Sequence, residues 1–134
     1  MMTQNEHIDY WLTGSDEDWF SAKEIGNKND RKHFALFLGH LSVEKLLKAF
    51  FVKLYNLTPP YKHDLTMLAL KCNIELSEEQ QFDLKIINSF NLEARYPDYK
   101  QSFYKKCTAE FVSSELARIE KVRTWIKELI ENTQ

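Results

Sequence analysis

A short segment in the last third of the chain carries side chains suited to phosphate and nucleobase recognition. Arg95, Tyr96, Asp98 and Tyr99 fall within five consecutive positions around Pro97. A guanidinium binds phosphate in a bidentate manner, and a tyrosine ring can stack on a base. Alternatively, Arg95 pairs with Asp98 or Glu93 and pins the loop, and composition gives the two interpretations equal weight. The segment is therefore a candidate nucleotide-binding loop, and Arg95 is also the one candidate catalytic residue.

A second group lies on the polar edge of a predicted helix. His40, Glu44, Lys45 and Lys48 occur at positions i, i+4, i+5 and i+8, so they share one broad side. Of these, His40, Lys45 and Lys48 are candidate binding residues, and His63 is a further candidate. Helical ion pairing between Glu44 and Lys48 is the favoured alternative for this edge. The four histidines have no paired-ligand spacing, so neither a metal site nor a cofactor is predicted.

The elements that position these residues are predicted to be helices, because turn-forming residues are scarce. The chain has three glycines and three prolines in 134 residues, which is well below the roughly 7% and 5% of an average protein. Periodicity and capping residues predict helices over residues 6–25, 30–55, 64–72, 77–91 and 108–130, with Asp30, a Ser77–Gln80 capping box and Thr108 at helix starts. We expect an all-α, antiparallel up-and-down bundle of four main helices plus one short helix, as a single domain over residues 1–134.

The apolar pattern also predicts which faces are buried. The second helix is apolar on nearly all sides in its first half, which is typical of a central helix. Its polar edge in the second half is expected to face a groove, a partner or water. The helix over residues 77–91 should bury Phe82, Ile86 and Phe90, and Gly39 should let a neighbouring helix approach closely.

Charge and composition exclude several classes of protein. The formal net charge is −2, yet residues 28–62 (seven basic, two acidic) and 94–107 (four basic, one acidic) are locally basic. A uniformly basic nucleic-acid binder is therefore excluded, whereas local basic patches are not. No apolar run approaches the about 18 residues of a membrane span. The polar start lacks a signal-peptide pattern, and the two cysteines do not form a disulfide framework, so we expect reduced thiols in a cytoplasmic protein.

Three segments in order resemble the HEPN domain. They are FLGHLSVEKLLKAFFVK, PPYKHDL and LEARYPD, and a Thr-Ala-Glu start of the last helix follows them. The specific parts are Glu44-Lys45-x-Leu-Lys48-Ala49, the His63-Asp64-Leu65 turn and Arg95-Tyr96-Pro97. The resemblance covers residues 10–130 and implies an all-α bundle that usually forms a homodimer.

Resemblance to HEPN proteins also implies a function. Family members often bind nucleotides or RNA, and many are paired with a small nucleotidyltransferase in toxin–antitoxin modules. The leading hypothesis is therefore a HEPN-like homodimer that binds a nucleotide or RNA through Arg95, Tyr96 and the basic edge of the second helix. It would partner a small nucleotidyltransferase and have no DNA specificity.

Some HEPN proteins are metal-independent ribonucleases, and this sequence departs from their pattern. In those proteins an arginine is followed, after four to six residues, by a histidine in the dimer cleft. Here the corresponding positions hold Lys100, Gln101 and Ser102, and no histidine occurs after His63. A base that titrates near neutral pH is therefore missing from the motif. Two alternatives stay open: a ribonuclease with a degenerate motif, in which His40 or His63 enters the cleft from elsewhere, and a dimeric scaffold without a ligand.

Overall fold

The computed structural model describes the backbone of residues 1–28, 31–95 and 97–134, and the side chains of the same residues except 93–95 and 97–100. Its helices are α1 (Gln4–Gly26), α2 (Lys32–Tyr55), α3 (Leu65–Lys71), α4 (Glu78–Arg95), α5 (Pro97–Lys106) and α6 (Ala109–Glu131). Within this part of the chain every regular element is a helix. The all-α bundle is therefore confirmed, with α1, α2, α4 and α6 as its long helices and α3 as the predicted short one.

Polar contacts between the long helices establish their directions. As the residue number rises along one helix, the number of the partner residue falls along the other. The contacts are Gln4–Val52 and Ser15–Ser42 between α1 and α2, and Glu79–Lys121 and Asp83–Arg118 between α4 and α6. Both pairs of helices run antiparallel, as the sequence predicts.

Local capping chemistry starts three helices where the sequence predicts. The backbone N–H of Gln80 donates to Ser77 Oγ at 3.1 Å, and the N–H of Ser77 donates to Gln80 Oε1 at 3.0 Å, which completes the capping box. Thr108 Oγ1 accepts from the N–H of Phe111 at 3.1 Å at the start of α6. The carboxylate of Asp64 caps α3 in the same way.

Several helix boundaries differ from the prediction. The N-cap position of α2 is Arg31, which has a left-handed backbone (φ 56°) and makes no side-chain cap hydrogen bond. The predicted cap, Asp30, lies outside the described residues. Helix α4 continues to Arg95, and α5, which was not predicted, begins at Pro97. Proline is favoured at a first helical position because its missing N–H has no partner to lose there.

Helix α2 lies at the centre of the bundle, where it packs against α1, α3, α4, α5 and α6. The inner face predicted for α4 is partly wrong. Phe90 is buried and Ile86 is half-buried against the core, but Phe82 is 56% exposed. The buried face instead includes Asp83, Leu84 and Ile87. Asp83 is polar, and its ion pairs to α6 allow its burial.

The prediction that Gly39 lets a neighbouring helix approach closely is confirmed. A Cβ atom on Gly39 would overlap Cδ1 of Ile119, so glycine permits the close approach of α6 to α2. Cys72 and Cys107 are buried thiols and do not form a disulfide.

Candidate functional site

Three of the predicted binding residues lie together between α2 and the segment that precedes α3: two of them bond to the carboxylate of Glu44, and the third bonds to the backbone of that segment. His63 Nδ1 lies 3.0 Å from Glu44 Oε1, and Lys48 Nζ lies 3.0 Å from Glu44 Oε2. His40 is fully buried, and its Nε2 lies 3.0 Å from the backbone carbonyl oxygen of His63. We call these four residues the Glu44 cluster. The i,i+4 ion pair that the spacing of Glu44 and Lys48 predicts is confirmed.

The charged part of the Glu44 cluster is covered by other segments of the chain. Glu44 is 4% exposed and Lys48 is 5% exposed. Lys48 Nζ lies 5.2 Å from the ring centroid of Trp11 on α1 and 6.0 Å from that of Tyr61. The expectation that this edge of α2 faces a groove, a partner or water is therefore wrong for Glu44 and Lys48. The side chain of His63 is different, because 41% of it is exposed.

Hydrogen bonding fixes which imidazole nitrogens carry protons. Carboxylate and carbonyl oxygens only accept hydrogen bonds, so His63 Nδ1 donates to Glu44 and His40 Nε2 donates to the carbonyl of His63. In a neutral His63, Nε2 then bears the lone pair, and it has no hydrogen-bond partner in the described part of the chain. A carboxylate that holds Nδ1–H in this way orients an imidazole whose Nε2 can accept a proton or a hydrogen bond.

Lys45 is separated from the Glu44 cluster. Its Nζ lies 2.8 Å from Asp18 Oδ2 on α1, and the two side chains are 29% and 19% exposed. Lys45 also lines an open groove of about 440 Å³ whose other walls include Asp9 and Glu17. The carboxylates of this groove make it unfavourable for a phosphate.

The other predicted binding residues fall at the junction of α4 and α5. Arg95 is the last residue of α4, and Asp98 and Tyr99 lie in the first turn of α5, but their side chains are outside the described set. Tyr96 lies outside the described residues altogether. The contacts of all four therefore stay predictions.

The backbone of α4 nevertheless relates Arg95 to the Glu44 cluster. Asn88 of α4 accepts from the N–H of Leu65 at 2.8 Å and donates to Asp64 at 3.0 Å, directly after His63. Arg95 follows Asn88 by two helical turns, a rise of roughly 10 Å. His63 and the α4–α5 junction therefore lie within the length of a short oligonucleotide.

A buried arginine that the sequence did not reveal joins α1 to α6. Arg123 is 4% exposed, and it donates to Ser15 Oγ at 2.5 Å and to Asp16 Oδ1 at 2.8 Å. Burial lowers the pKa of Arg123, although the neighbouring Asp16 opposes that shift. Ser15 within an apolar stripe was the only sequence signal of this contact. The group connects helices and is not part of the candidate site.

A second buried ionic group joins α4 to α6. Asp83 accepts from Arg118 at 2.6 Å and pairs with Lys121 at 2.8 Å. Partial burial would lower the pKa of Arg118, but hydrogen bonds to Glu115 and Asp83 outweigh it and raise that pKa. The partners are 35 or more residues apart in sequence, so no local spacing reveals them.

Comparison with known families agrees with this fold. The chain matches the family model described as HEPN domain over residues 8–129, and it therefore belongs to the HEPN domain family. Membership associates the chain with nucleotide- or RNA-related functions. No curated protein and no solved structure matches the chain significantly.

Two further observations on the described residues concern membrane-spanning helices and metal ligands. None of their helices has the length and hydropathy needed to cross a membrane. Their histidine, cysteine, aspartate and glutamate side chains form no group of three or more with metal-binding geometry.

Proposed function

We propose that this HEPN domain binds a nucleotide or RNA at a surface that runs from His63 to the α4–α5 junction. The observation that supports this most directly is the half-exposed imidazole of His63, which the buried Glu44–Lys48 pair holds in one orientation. A buried ion pair costs desolvation energy and is not needed to stabilise a helix surface. Its placement under an exposed histidine favours a role in presenting that histidine.

The predicted binding residues would then have different roles. Arg95, Tyr96, Asp98 and Tyr99 would contact the ligand from the α4–α5 junction, with Arg95 on a phosphate. Lys48 and His40 are too deeply buried to reach a ligand in this conformation, so they would position His63. Lys45, beside an acidic groove, would contribute only long-range positive potential.

The proposed assembly follows from the family. We propose that residues 1–134 form one HEPN domain that acts as a cytoplasmic homodimer with a small nucleotidyltransferase partner in a two-component, toxin–antitoxin-like module. HEPN proteins are often dimeric, which supports the first part of this proposal.

Binding to a fluorescein-labelled single-stranded RNA 12-mer at low salt tests the proposal. Arg95→Ala should weaken binding about tenfold or more, because a charge-assisted hydrogen bond to phosphate is lost. Lys85→Ala, which removes one positive charge from an exposed position on the same helix, is the matched control. It should change affinity by less than about threefold. Unchanged RNA and nucleotide binding by Arg95→Ala would refute the assignment of this site.

A metal-independent ribonuclease is the second candidate function. The Glu44–His63 hydrogen bond favours it, because it supplies an oriented imidazole that the segment after Arg95 lacks. His63 Nε2 would take the proton of a ribose 2′-hydroxyl while the 2′-oxygen attacks phosphorus. The P–O5′ bond would break, water would protonate the 5′-oxygen, and a 2′,3′-cyclic phosphate would form.

RNA cleavage in the presence of EDTA separates the two candidates. The ribonuclease predicts cleavage that is lost in Arg95→Ala. Intact RNA after long incubation with highly purified protein, alone and with its partner, would count against the enzyme and leave the binding role. Partner binding without any nucleotide-induced thermal shift at millimolar concentrations would instead favour a scaffold.

A further inference from the structure

Tyr61 lies beside His63, and its side chain is almost fully exposed to solvent. Its side chain is 92% exposed. The ring centroids of Tyr61 and His63 are 6.1 Å apart, and the planes are inclined by 60°. Lys48 Nζ lies 6.0 Å from the Tyr61 ring and 5.2 Å from that of Trp11. The surface therefore presents an aromatic ring and an imidazole side by side.

The hydrogen-bonding character of His63 restricts what this surface can recognise. Because Nδ1–H is committed to Glu44, the remaining nitrogen of the neutral ring accepts a hydrogen bond and does not donate one. The complementary ligand group is therefore a hydroxyl or an N–H, and not an unprotonated phosphate oxygen. A ribose 2′-hydroxyl is such a donor, and DNA lacks it.

We propose that Tyr61 and His63 form a nucleoside subsite in which a base stacks on the Tyr61 ring and the ribose 2′-hydroxyl donates to His63 Nε2. This inference rests on the proposed function and assigns it a ribonucleotide ligand. A base and its sugar are joined by a single bond, so a base stacked on Tyr61 brings its ribose to a ring 6.1 Å away. Lys62, which is exposed between the two residues, provides positive charge for the adjoining phosphate.

The Glu44 cluster explains why the subsite would discriminate ribose from deoxyribose. Glu44 and Lys48 are buried and cannot reorient freely, so the Nδ1–H tautomer of His63 persists when the ligand arrives. An imidazole without this partner would exchange tautomers and could donate or accept at Nε2. The carboxylate is therefore a positioning residue for a ribose-reading histidine.

Two substitutions of His63 separate its two hydrogen bonds. The amide nitrogen of His63→Asn occupies the place of Nδ1 and keeps the donor to Glu44, but the Nε2 acceptor is lost. The amide of His63→Gln reaches the place of Nε2 but gives up the bond to Glu44. At Tyr61, Tyr61→Ala removes the stacking ring and Tyr61→Phe keeps it. Since Tyr61 is 92% exposed, neither change disturbs the core.

The experiment compares binding of RNA and DNA 12-mers of the same sequence to the full chain at pH 8, with thermal unfolding as the folding control. Wild type should prefer RNA by about tenfold, the equivalent of one hydrogen bond. His63→Asn should bring this preference below about twofold. Tyr61→Ala should weaken binding of both oligomers by at least about fivefold, and Tyr61→Phe should bind as wild type does.

The outcomes distinguish failure of the Tyr61–His63 subsite from failure of the proposed nucleotide or RNA binding. A folded His63→Asn protein that keeps the full RNA preference, or a Tyr61→Ala protein with wild-type affinity, would overturn the subsite while RNA binding itself stands. Equal wild-type affinity for RNA and DNA would also overturn it. Wild-type protein that binds neither oligomer would refute the proposed function as a whole.

Discussion

Removal of one charge from the buried Glu44–Lys48 pair should destabilise the protein far more than removal of the same charge at the surface. The pair is 3.0 Å apart with side chains 5% and 6% exposed. At an effective dielectric constant of about 20, the attraction is about 5 kcal/mol, and desolvation costs several kcal/mol for each ion. Lys48→Met removes the attraction and leaves the carboxylate buried, so the free energy of unfolding should fall by about 3–5 kcal/mol.

A double-mutant cycle measured by urea unfolding tests this expectation. Glu44→Gln in the Lys48→Met background removes the second charge. The double variant should therefore lose at least about 2 kcal/mol less unfolding free energy than the sum of the losses in the two single variants. Lys127→Met is the matched control, because Lys127 Nζ also lies 3.0 Å from a carboxylate, that of Asp16, but the side chains are 41% and 58% exposed. It should cost less than about 1 kcal/mol. Additivity within about 0.5 kcal/mol, or equal costs for the two lysines, would refute the reasoning.

Three further predictions follow from individual side chains. Gly39→Ala should lower the free energy of unfolding by about 1–3 kcal/mol through overpacking. Gly14→Ala is the control, because its added Cβ meets only a flexible lysine at 3.2 Å, and it should be neutral or stabilising in the same urea assay. Equal stabilities of the two variants would contradict this. Burial raises the pKa of the Cys72 thiol to about 12, so iodoacetamide at pH 8 should alkylate it about a thousandfold more slowly than free cysteine, and comparable rates would be inconsistent with burial. Partial burial raises the pKa of Asp16, but hydrogen bonds from two basic side chains of α6 outweigh this effect, so the pKa is lowered in the folded state. A carboxylate with a lowered folded-state pKa stabilises the fold above about pH 3.9, and this stabilisation is lost on acidification. Asp16→Asn should therefore flatten the acid side of the profile of unfolding free energy against pH.

The parts of the fold that depend on neighbouring residues in the sequence could be predicted. The Ser77–Gln80 capping box and the Thr108 cap are set by spacings of three residues, and both form. The start of α5 had a local signal as well. The segment around Pro97 is predicted to be a loop, whereas proline is also the residue best suited to a first helical position.

The environment of the candidate site could not be predicted, because it depends on which distant segments cover it. The spacing of Glu44 and Lys48 predicts their ion pair but not its burial beside α1, where the Trp11 ring centroid lies 5.2 Å from Lys48 Nζ. His63 is itself a predicted binding residue. Its bond to Glu44 joins residues 19 positions apart in different elements, and only the folded chain shows it.

The most direct test of the central claim is to map RNA binding onto the backbone amides of ¹⁵N-labelled protein by NMR titration with a single-stranded RNA 12-mer. The account predicts the largest chemical-shift changes at residues 61–65 and 93–100, with the outer, acidic face of α1 unaffected. An absence of shifts at saturating RNA, or shifts confined to surfaces away from both segments, would contradict it.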